Sequence, residues 1–226
     1  MDTEYKAVSH ARRAGTWAIV GICLYVVLDV VAQLLPPHYS PIHQAESDLA
    51  VGPYGYLMRI NFVVRGALSL AVVSALATTF PRARARWGLI LFGIWGVTSG
   101  LLAVFNTDIL DDRKVAPILH LTRHGELHLA LAFIGFVAAP VGAILIAQAF
   151  SKVPALQNAR NTSMTLAVLS LIALLAMAVF PHIDHAGGLG ERIYLLAVLL
   201  WTLHAAVSLR RAASWQQRGQ AVPHPA

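Results

Sequence analysis

The sequence predicts an all-α integral membrane bundle of six transmembrane helices, with the N and C termini in the cytoplasm. The 226 residues are 57% hydrophobic and only 12% charged, whereas soluble domains carry about 25% charged residues. Mean hydropathy is +0.63. Crossing a bilayer takes about 20 apolar residues, and runs of that length in lipid must be helical. Six stretches qualify: 16–35, 54–80, 87–106, 118–150, 163–181 and 191–209.

The orientation follows from lysine and arginine. These residues are concentrated near both termini, in the connection between the second and third predicted helices, and in the connection between the fourth and fifth. Cytoplasmic loops carry this excess, so the termini are predicted to be cytoplasmic and the protein to be a multi-pass protein of the inner (cell) membrane. The chain then divides into a cytoplasmic segment at 1–15, a transmembrane domain at 16–210 and a disordered cytoplasmic tail at 211–226. The net charge of +6 comes mainly from basic residues beside the apolar runs, where they set the membrane orientation. We therefore expect no nucleic-acid partner.

Carboxylates and histidines show the opposite bias. Only Asp2 and Glu4 among the acids are predicted to be cytoplasmic, while seven of the ten histidines fall in the outer half. The positive-inside rule concerns Lys and Arg, so it does not explain this asymmetry. The outer side is therefore where we expect the functional site. The long proline-containing loop between the first two helices is predicted to fold over that side as a lid, with a short turn at 42–50.

A histidine-rich site is suggested by the segment HLTRHGELH, in which His120, His124 and His128 recur every four residues. This spacing places them along one face of a helix. Imidazole is a good ligand for divalent metals, and histidine also serves as a general acid or base. A metal site, a proton relay and plain packing at a polar helix interface all remain open. Haem is not favoured, because only His204 offers a second ligand for His128.

Ionisable residues inside the predicted helices form a second group, Asp29, Arg59 and Arg65. Such residues cost about 2.5–3.5 kcal/mol at the bilayer centre, so they face the protein interior and find partners. One interpretation is a structural Asp29–Arg65 lock between the first two helices. The other is a site in which the arginines bind an anionic group of a substrate.

Several short motifs occur in a fixed order along the chain: Ser47-Asp48-Leu49, Gly52-Pro53, Phe105 with Thr107-Asp108, Thr122, Gly125, Leu127-His128, Phe133, Pro140, Gly188-Leu189 and Glu191-Arg192-Ile193. In this order and placement the chain resembles the DUF998 family, small polytopic membrane proteins of bacteria and archaea without an assigned activity. The resemblance spans about residues 15–210. It implies the fold and points to five polar positions: Asp48, Asp108, His128, Arg192 and Glu191.

The leading functional hypothesis is a membrane-embedded enzyme acting on a lipid-like or isoprenoid substrate at the outer leaflet. Its partner would be a membrane lipid or a lipid-like small molecule. The predicted site residues are Asp48, Asp108, His128 and Glu191 for acid/base or metal-assisted chemistry, Asp29, Arg59, Arg65 and Arg192 for substrate binding, and His120, His124 and His128 for a divalent metal. A proton-coupled transporter and a non-catalytic accessory subunit are the alternatives. The sequence does not decide among the three, nor does it give the oligomeric state.

Overall fold

A computed structural model describes residues 2–79, 82–109, 121–179 and 185–220, with side chains over 6–79, 85–109, 121–179 and 185–214. Within these ranges all regular structure is helical. Six α-helices follow one another: α1 (Asp2–Leu34), α2 (Gly55–Thr79), α3 (Arg82–Leu101), α4 (Arg123–Phe150), α5 (Arg160–Met177) and α6 (Gly187–Gln220). Two short 3-10 helices, Glu46–Ala50 and Pro154–Ala159, lie before α2 and α5. The first falls within the turn predicted at 42–50.

Five segments of the described chain are long and apolar enough to cross a membrane: Lys6–Leu34, Gly55–Thr79, Arg123–Phe150, Pro154–Met177 and Gly187–Ser214. A helical multi-pass membrane protein is therefore confirmed. A membrane crossing by α3, which would bring the number of crossings to six, stays a prediction. The cytoplasmic location of the two termini also stays a prediction. The terminal helices exceed their predicted limits, since α1 begins at Asp2 and α6 continues to Gln220. The predicted tail thus begins as helix, and its last residues, 221–226, lie outside the described part.

The helices form a closed ring in which each packs against its neighbours in sequence and α1 packs against α6. Consecutive helices run in opposite directions. We call the end that holds both chain termini the terminal end, and the opposite end the distal end. The loop between α1 and α2, the start of α4 and the start of α6 meet at the distal end.

Aromatic side chains fill the middle of the ring. The rings of Phe92 and Trp201 have centroids 4.6 Å apart, and those of Phe136 and Tyr194 are 4.7 Å apart. Trp201 and Phe92 are fully buried. This apolar core separates the distal end from the terminal end.

Candidate functional site

The most deeply buried charges of the described chain lie at the distal end. Arg65 of α2 and Glu46 of the loop are each only 2% exposed, and Arg65 Nη1 lies 3.0 Å from Glu46 Oε2. The hydroxyl of Tyr25 on α1 donates to Glu46 Oε1. The Arg65 guanidinium also lies 4.9 Å from the ring centroid of Trp95 and 5.1 Å from that of Phe62. The ion pair thereby holds the loop inside the bundle.

This pairing corrects one interpretation of the sequence, because Arg65 forms its ion pair with Glu46 and not with Asp29. Asp29 Oδ2 accepts a hydrogen bond of 2.6 Å from Gln33, one turn along the same helix. Its Oδ1 is buried without a hydrogen-bond partner among the described residues. The loop folds inward and brings Glu46 to Arg65, so Glu46 is the ion-pair partner that the sequence interpretation assigned to Asp29. Sequence reasoning missed Glu46, whose only signals were its charge and its position next to the motif beginning at Ser47.

A second carboxylate adjoins the first. Glu191, in the first turns of α6, accepts a hydrogen bond of 2.9 Å from the backbone N–H of Glu46 to its Oε2. Glu191 also interacts electrostatically with Arg65 and Arg192. The loop and α6 are therefore joined by a carboxylate that lies beside the Glu46–Arg65 pair.

Arg192 fastens the loop to α6. Its Nη1 donates to the carbonyl oxygens of Pro41 and Gln44, each at 3.0 Å, and to that of Gly188 at 3.1 Å. Its Nη2 donates to the hydroxyl of Tyr39. A side chain at position 188 would collide with the backbone of Gln44, so the glycine permits this contact. Residues 39–50, which we call the lid loop, are thus held down at several points by one guanidinium.

Asp48 lies at the centre of the lid loop and is partly buried. Burial raises the pKa of its carboxyl from 3.8 to about 6, although a hydrogen bond from the Ala45 backbone and the charge of Arg192 both lower it. Burial also raises the pKa of Tyr39, so its phenol is neutral at physiological pH. Asp29 interacts electrostatically with Glu46 and with both arginines.

These groups form one assembly, which we call the distal cluster: Tyr25, Asp29, Tyr39, Glu46, Asp48, Arg65, Glu191 and Arg192. Five of its members were predicted as site residues, and the structure brings them together from α1, α2, α6 and the lid loop.

His128 lies beside the distal cluster on α4 and is only 4% exposed. Its Nδ1 lies 2.7 Å from the carbonyl oxygen of Phe105. A carbonyl can only accept, so Nδ1 carries the hydrogen and, in the neutral ring, Nε2 keeps its lone pair. The ring centroids of His128 and Phe62 are 6.1 Å apart, and Phe62 in turn contacts Arg65. Nε2 has the chemistry of a base or a metal ligand.

Asp108 has a positional role at the start of α4. Its Oδ2 accepts from the backbone N–H of Thr122 at 2.6 Å, and its Oδ1 accepts from the Thr122 hydroxyl at 3.0 Å. Thr122 is the N-cap of α4 and accepts in turn from the N–H of Gly125. A Cβ on Gly125 would collide with the Asp108 carboxylate. Both oxygens of Asp108 therefore fix the helix that carries His128, and its predicted catalytic role stays a prediction.

A family model described as a protein of unknown function (DUF998) matches residues 19–208. The chain belongs to the DUF998 family. No curated protein and no solved structure matches it. The matched region of this DUF998 protein contains the entire distal cluster and His128.

Three predicted site residues of the DUF998 protein lie elsewhere or cannot be placed. Arg59 and His124 are exposed, and the His124 ring contacts Phe105 at a centroid distance of 5.8 Å. His120 lies outside the described residues. Among the residues that are described, no three His, Cys, Asp or Glu side chains are grouped so as to hold a metal ion. The metal set of His120, His124 and His128 thus stays a prediction.

Proposed function

We propose that the distal cluster is the acid–base site of a membrane-embedded enzyme that acts on a lipid-like substrate. The observation that carries this proposal is the cluster's charge, because four carboxyl groups share a confined space with two guanidinium groups. An unpaired charge removed from water costs several kcal/mol. The cluster avoids this cost by keeping protons on part of its carboxyl groups. A proton held at a positioned side chain is what a general acid requires.

The two glutamates have different environments and are suited to different roles. Glu46 is fixed by Arg65 and Tyr25 and serves as the counterion of the buried guanidinium. Glu191 accepts a hydrogen bond from the backbone of Glu46, and its Oε1 forms no hydrogen bond with any side chain or backbone group that the structure describes. Paired carboxyls in unequal environments divide into a charged and a proton-exchanging member. Glu191 is the proton-exchanging member in this proposal.

Arg192 supplies a binding group for an anionic part of the substrate once the lid loop lifts. With the loop in place, its Nη atoms donate to Pro41, Gln44 and Tyr39 of the lid loop and to the Gly188 carbonyl of α6. Opening the loop removes the three lid-loop partners at once. The donors that they release can then bind a phosphate or carboxylate, the groups that arginine binds in bidentate geometry. Substrate would reach the site from the distal leaflet, beneath the lid loop.

The aromatic core favours a site that opens to one side over a transport pathway. Between the distal cluster and the terminal end lie the fully buried rings of Phe92 and Trp201. Buried hydroxyls at this depth donate to backbone carbonyls, as Thr202 does to Val198 at 2.8 Å and Tyr194 to Phe136 at 2.8 Å. A proton-coupled carrier needs polar groups that continue through the bundle. The described core between the distal cluster and the terminal end holds large apolar rings instead.

The proposal is tested by lipid turnover. Purified protein is incubated in vesicles made from the total lipid extract of the host membrane, and the lipids are compared by mass spectrometry. We expect one lipid class to be consumed, and Glu191→Gln to slow this by about 100-fold or more, as is typical for the loss of a general acid or base. Glu126→Gln, which removes an exposed carboxylate from α4, is the matched control and should leave the rate unchanged.

Two outcomes would contradict the proposal. Lipids unchanged by the wild-type protein would favour a non-catalytic accessory subunit. An undiminished rate in Glu191→Gln would place the chemistry outside the distal cluster.

A further inference from the structure

A groove with a volume of about 290 Å³ lies between α1 and α6 at the terminal end, lined by Ile19, Val207, Arg210, Arg211 and Ser214. It is on the opposite side of the bundle from the distal cluster, so it is independent of the function proposed above. We propose that this groove binds one anionic phospholipid of the leaflet at the terminal end. The lipid phosphate would lie on the two arginines, and its first acyl methylenes would lie on the two aliphatic residues.

Two exposed tryptophans mark the membrane boundary at this end. Trp17 of α1 is 68% exposed and Trp87 of α3 is 67% exposed, and tryptophan is enriched at the level of the lipid headgroups. Ile19 lies two residues beyond Trp17 towards the membrane interior. On α6, which runs in the opposite direction, Val207 precedes Arg210 by about one turn. The groove therefore crosses the boundary, with its apolar walls on the hydrocarbon side and its cations on the headgroup side.

The charge of the groove is not compensated by described protein groups. Arg210 and Arg211 are exposed, and Ser214 donates its hydroxyl to the Arg210 carbonyl at 3.0 Å, so its oxygen remains able to accept. The carboxylates whose side chains the structure describes all belong to the distal half: Asp29, Glu46, Asp48, Asp108, Glu126 and Glu191. An anion from the membrane is the complementary partner, and basic pockets between transmembrane helices are known to bind acidic headgroups.

Gly15 positions one of the two arginines. A Cβ on Gly15 would lie 2.9 Å from the Arg210 side chain at Cγ and 2.9 Å from the carbonyl oxygen of Ala206. The glycine thus allows α6 to approach α1 and the Arg210 methylenes to lie across it. Part of the entropic cost of ordering this long side chain is met before a ligand arrives.

The shape of the groove favours a phospholipid over a free anion. Its volume equals that of roughly ten water molecules, which suffices for a phosphate with a few attached methylenes. Ile19 and Val207 would contribute nothing to binding inorganic phosphate, whereas they add apolar contact for a lipid chain. Each arginine near a membrane surface contributes about fivefold in affinity for an acidic lipid, so the pair contributes roughly 30-fold.

The test is a binding titration of the detergent-solubilised full chain, in which native mass spectrometry detects the bound lipid. Phosphatidylglycerol is the probe, phosphatidylcholine tests the need for net charge, and glycerol 3-phosphate tests the need for acyl chains. We expect one tightly bound phosphatidylglycerol, with Arg210→Gln/Arg211→Gln weakening it by roughly 30-fold and Arg211→Gln alone by about fivefold. Arg86→Gln removes an exposed charge from the same end, on α3 beside Trp87, and should leave the affinity unchanged.

Each alternative outcome overturns the proposal. Equal binding of phosphatidylcholine would show that the arginines do not select the lipid. Equal binding of glycerol 3-phosphate would show a plain anion site. An equal loss in Arg86→Gln would show a diffuse effect of charge. If the double variant fails to fold, an unchanged affinity in Arg211→Gln is sufficient to refute the site.

Discussion

The Glu46–Arg65 pair offers the strongest prediction about stability. Both side chains are almost fully buried, with 3.0 Å between Arg65 Nη1 and Glu46 Oε2. Glu46→Gln keeps the shape and leaves an oxygen for the Tyr25 hydroxyl, but it removes the charge that balances Arg65. Removing one member of a buried ion pair costs about 3–5 kcal/mol. For a chain of this size, each kcal/mol lowers the unfolding temperature by about 2–4 °C, so the expected decrease is roughly 6–20 °C.

The assay is thermal unfolding in detergent, followed by tryptophan emission, because Trp95 and Trp201 are buried at 2% and 0% exposure and report loss of the core. The matched control is the double variant Glu46→Gln/Arg65→Met, which removes both charges. Replacing a whole buried pair with apolar or neutral groups is often neutral, so we expect much of the stability to return. An unfolding temperature of Glu46→Gln equal to that of the wild type, or a double variant less stable than the single one, would refute the pairing.

Three further predictions concern the lid loop and the helix packing. Burial raises the pKa of Asp48 to about 6, so ionisation of this carboxyl destabilises the folded state as pH rises from about 4 to above 6. The neutral variant Asp48→Asn should therefore have a higher unfolding temperature than the wild type at about pH 8. At about pH 4 the two unfolding temperatures should be equal. Arg192→Gln should speed amide hydrogen exchange across residues 39–50 roughly tenfold or more, because hydrogen bonds to a charged donor contribute about 1.5–3 kcal/mol each. Exchange in α5 is the internal reference. Equal exchange rates of residues 39–50 in the variant and the wild type would refute the role of Arg192 in holding the lid loop. Gly142→Ala should destabilise the protein by about 1–3 kcal/mol, because the new Cβ would lie 2.8 Å from a backbone nitrogen of α3. In Gly93→Ala the new Cβ meets nothing within 4 Å. That variant should be as stable as the wild type or slightly more stable in the same thermal assay.

The helical membrane fold could be predicted because it depends on run length and composition, which are local properties of the sequence. Helix ends were less predictable. α3 begins at Arg82 and ends at Leu101, about five residues earlier than the predicted stretch at both ends. Hydropathy discounts the arginines of its first turn, and it counts the apolar residues that follow Leu101 although they already belong to the turn. Asp108 then lies where it can fix the start of α4.

The site was predictable only in part. Intramembrane charges such as Arg65 must find partners, so their importance could be inferred from sequence. The identity of the partner could not, because it depends on the course of a long loop whose carboxylates are indistinguishable by local pattern. The histidine spacing had a similar limit. His124 lies in the exposed first turn of α4, whereas His128, one turn deeper, is covered and bonded to Phe105.

The central claim is that the distal cluster keeps protons on part of its carboxyl groups. Infrared spectroscopy of the protein at about pH 6, in a detergent without ester groups, tests this most directly, since exposed carboxyls are then ionised. The account predicts a carbonyl band of protonated carboxyls in the wild type that decreases in Glu191→Gln and is unchanged in Glu126→Gln. Absence of the band in the wild type, or its persistence at full intensity in Glu191→Gln, would contradict the account.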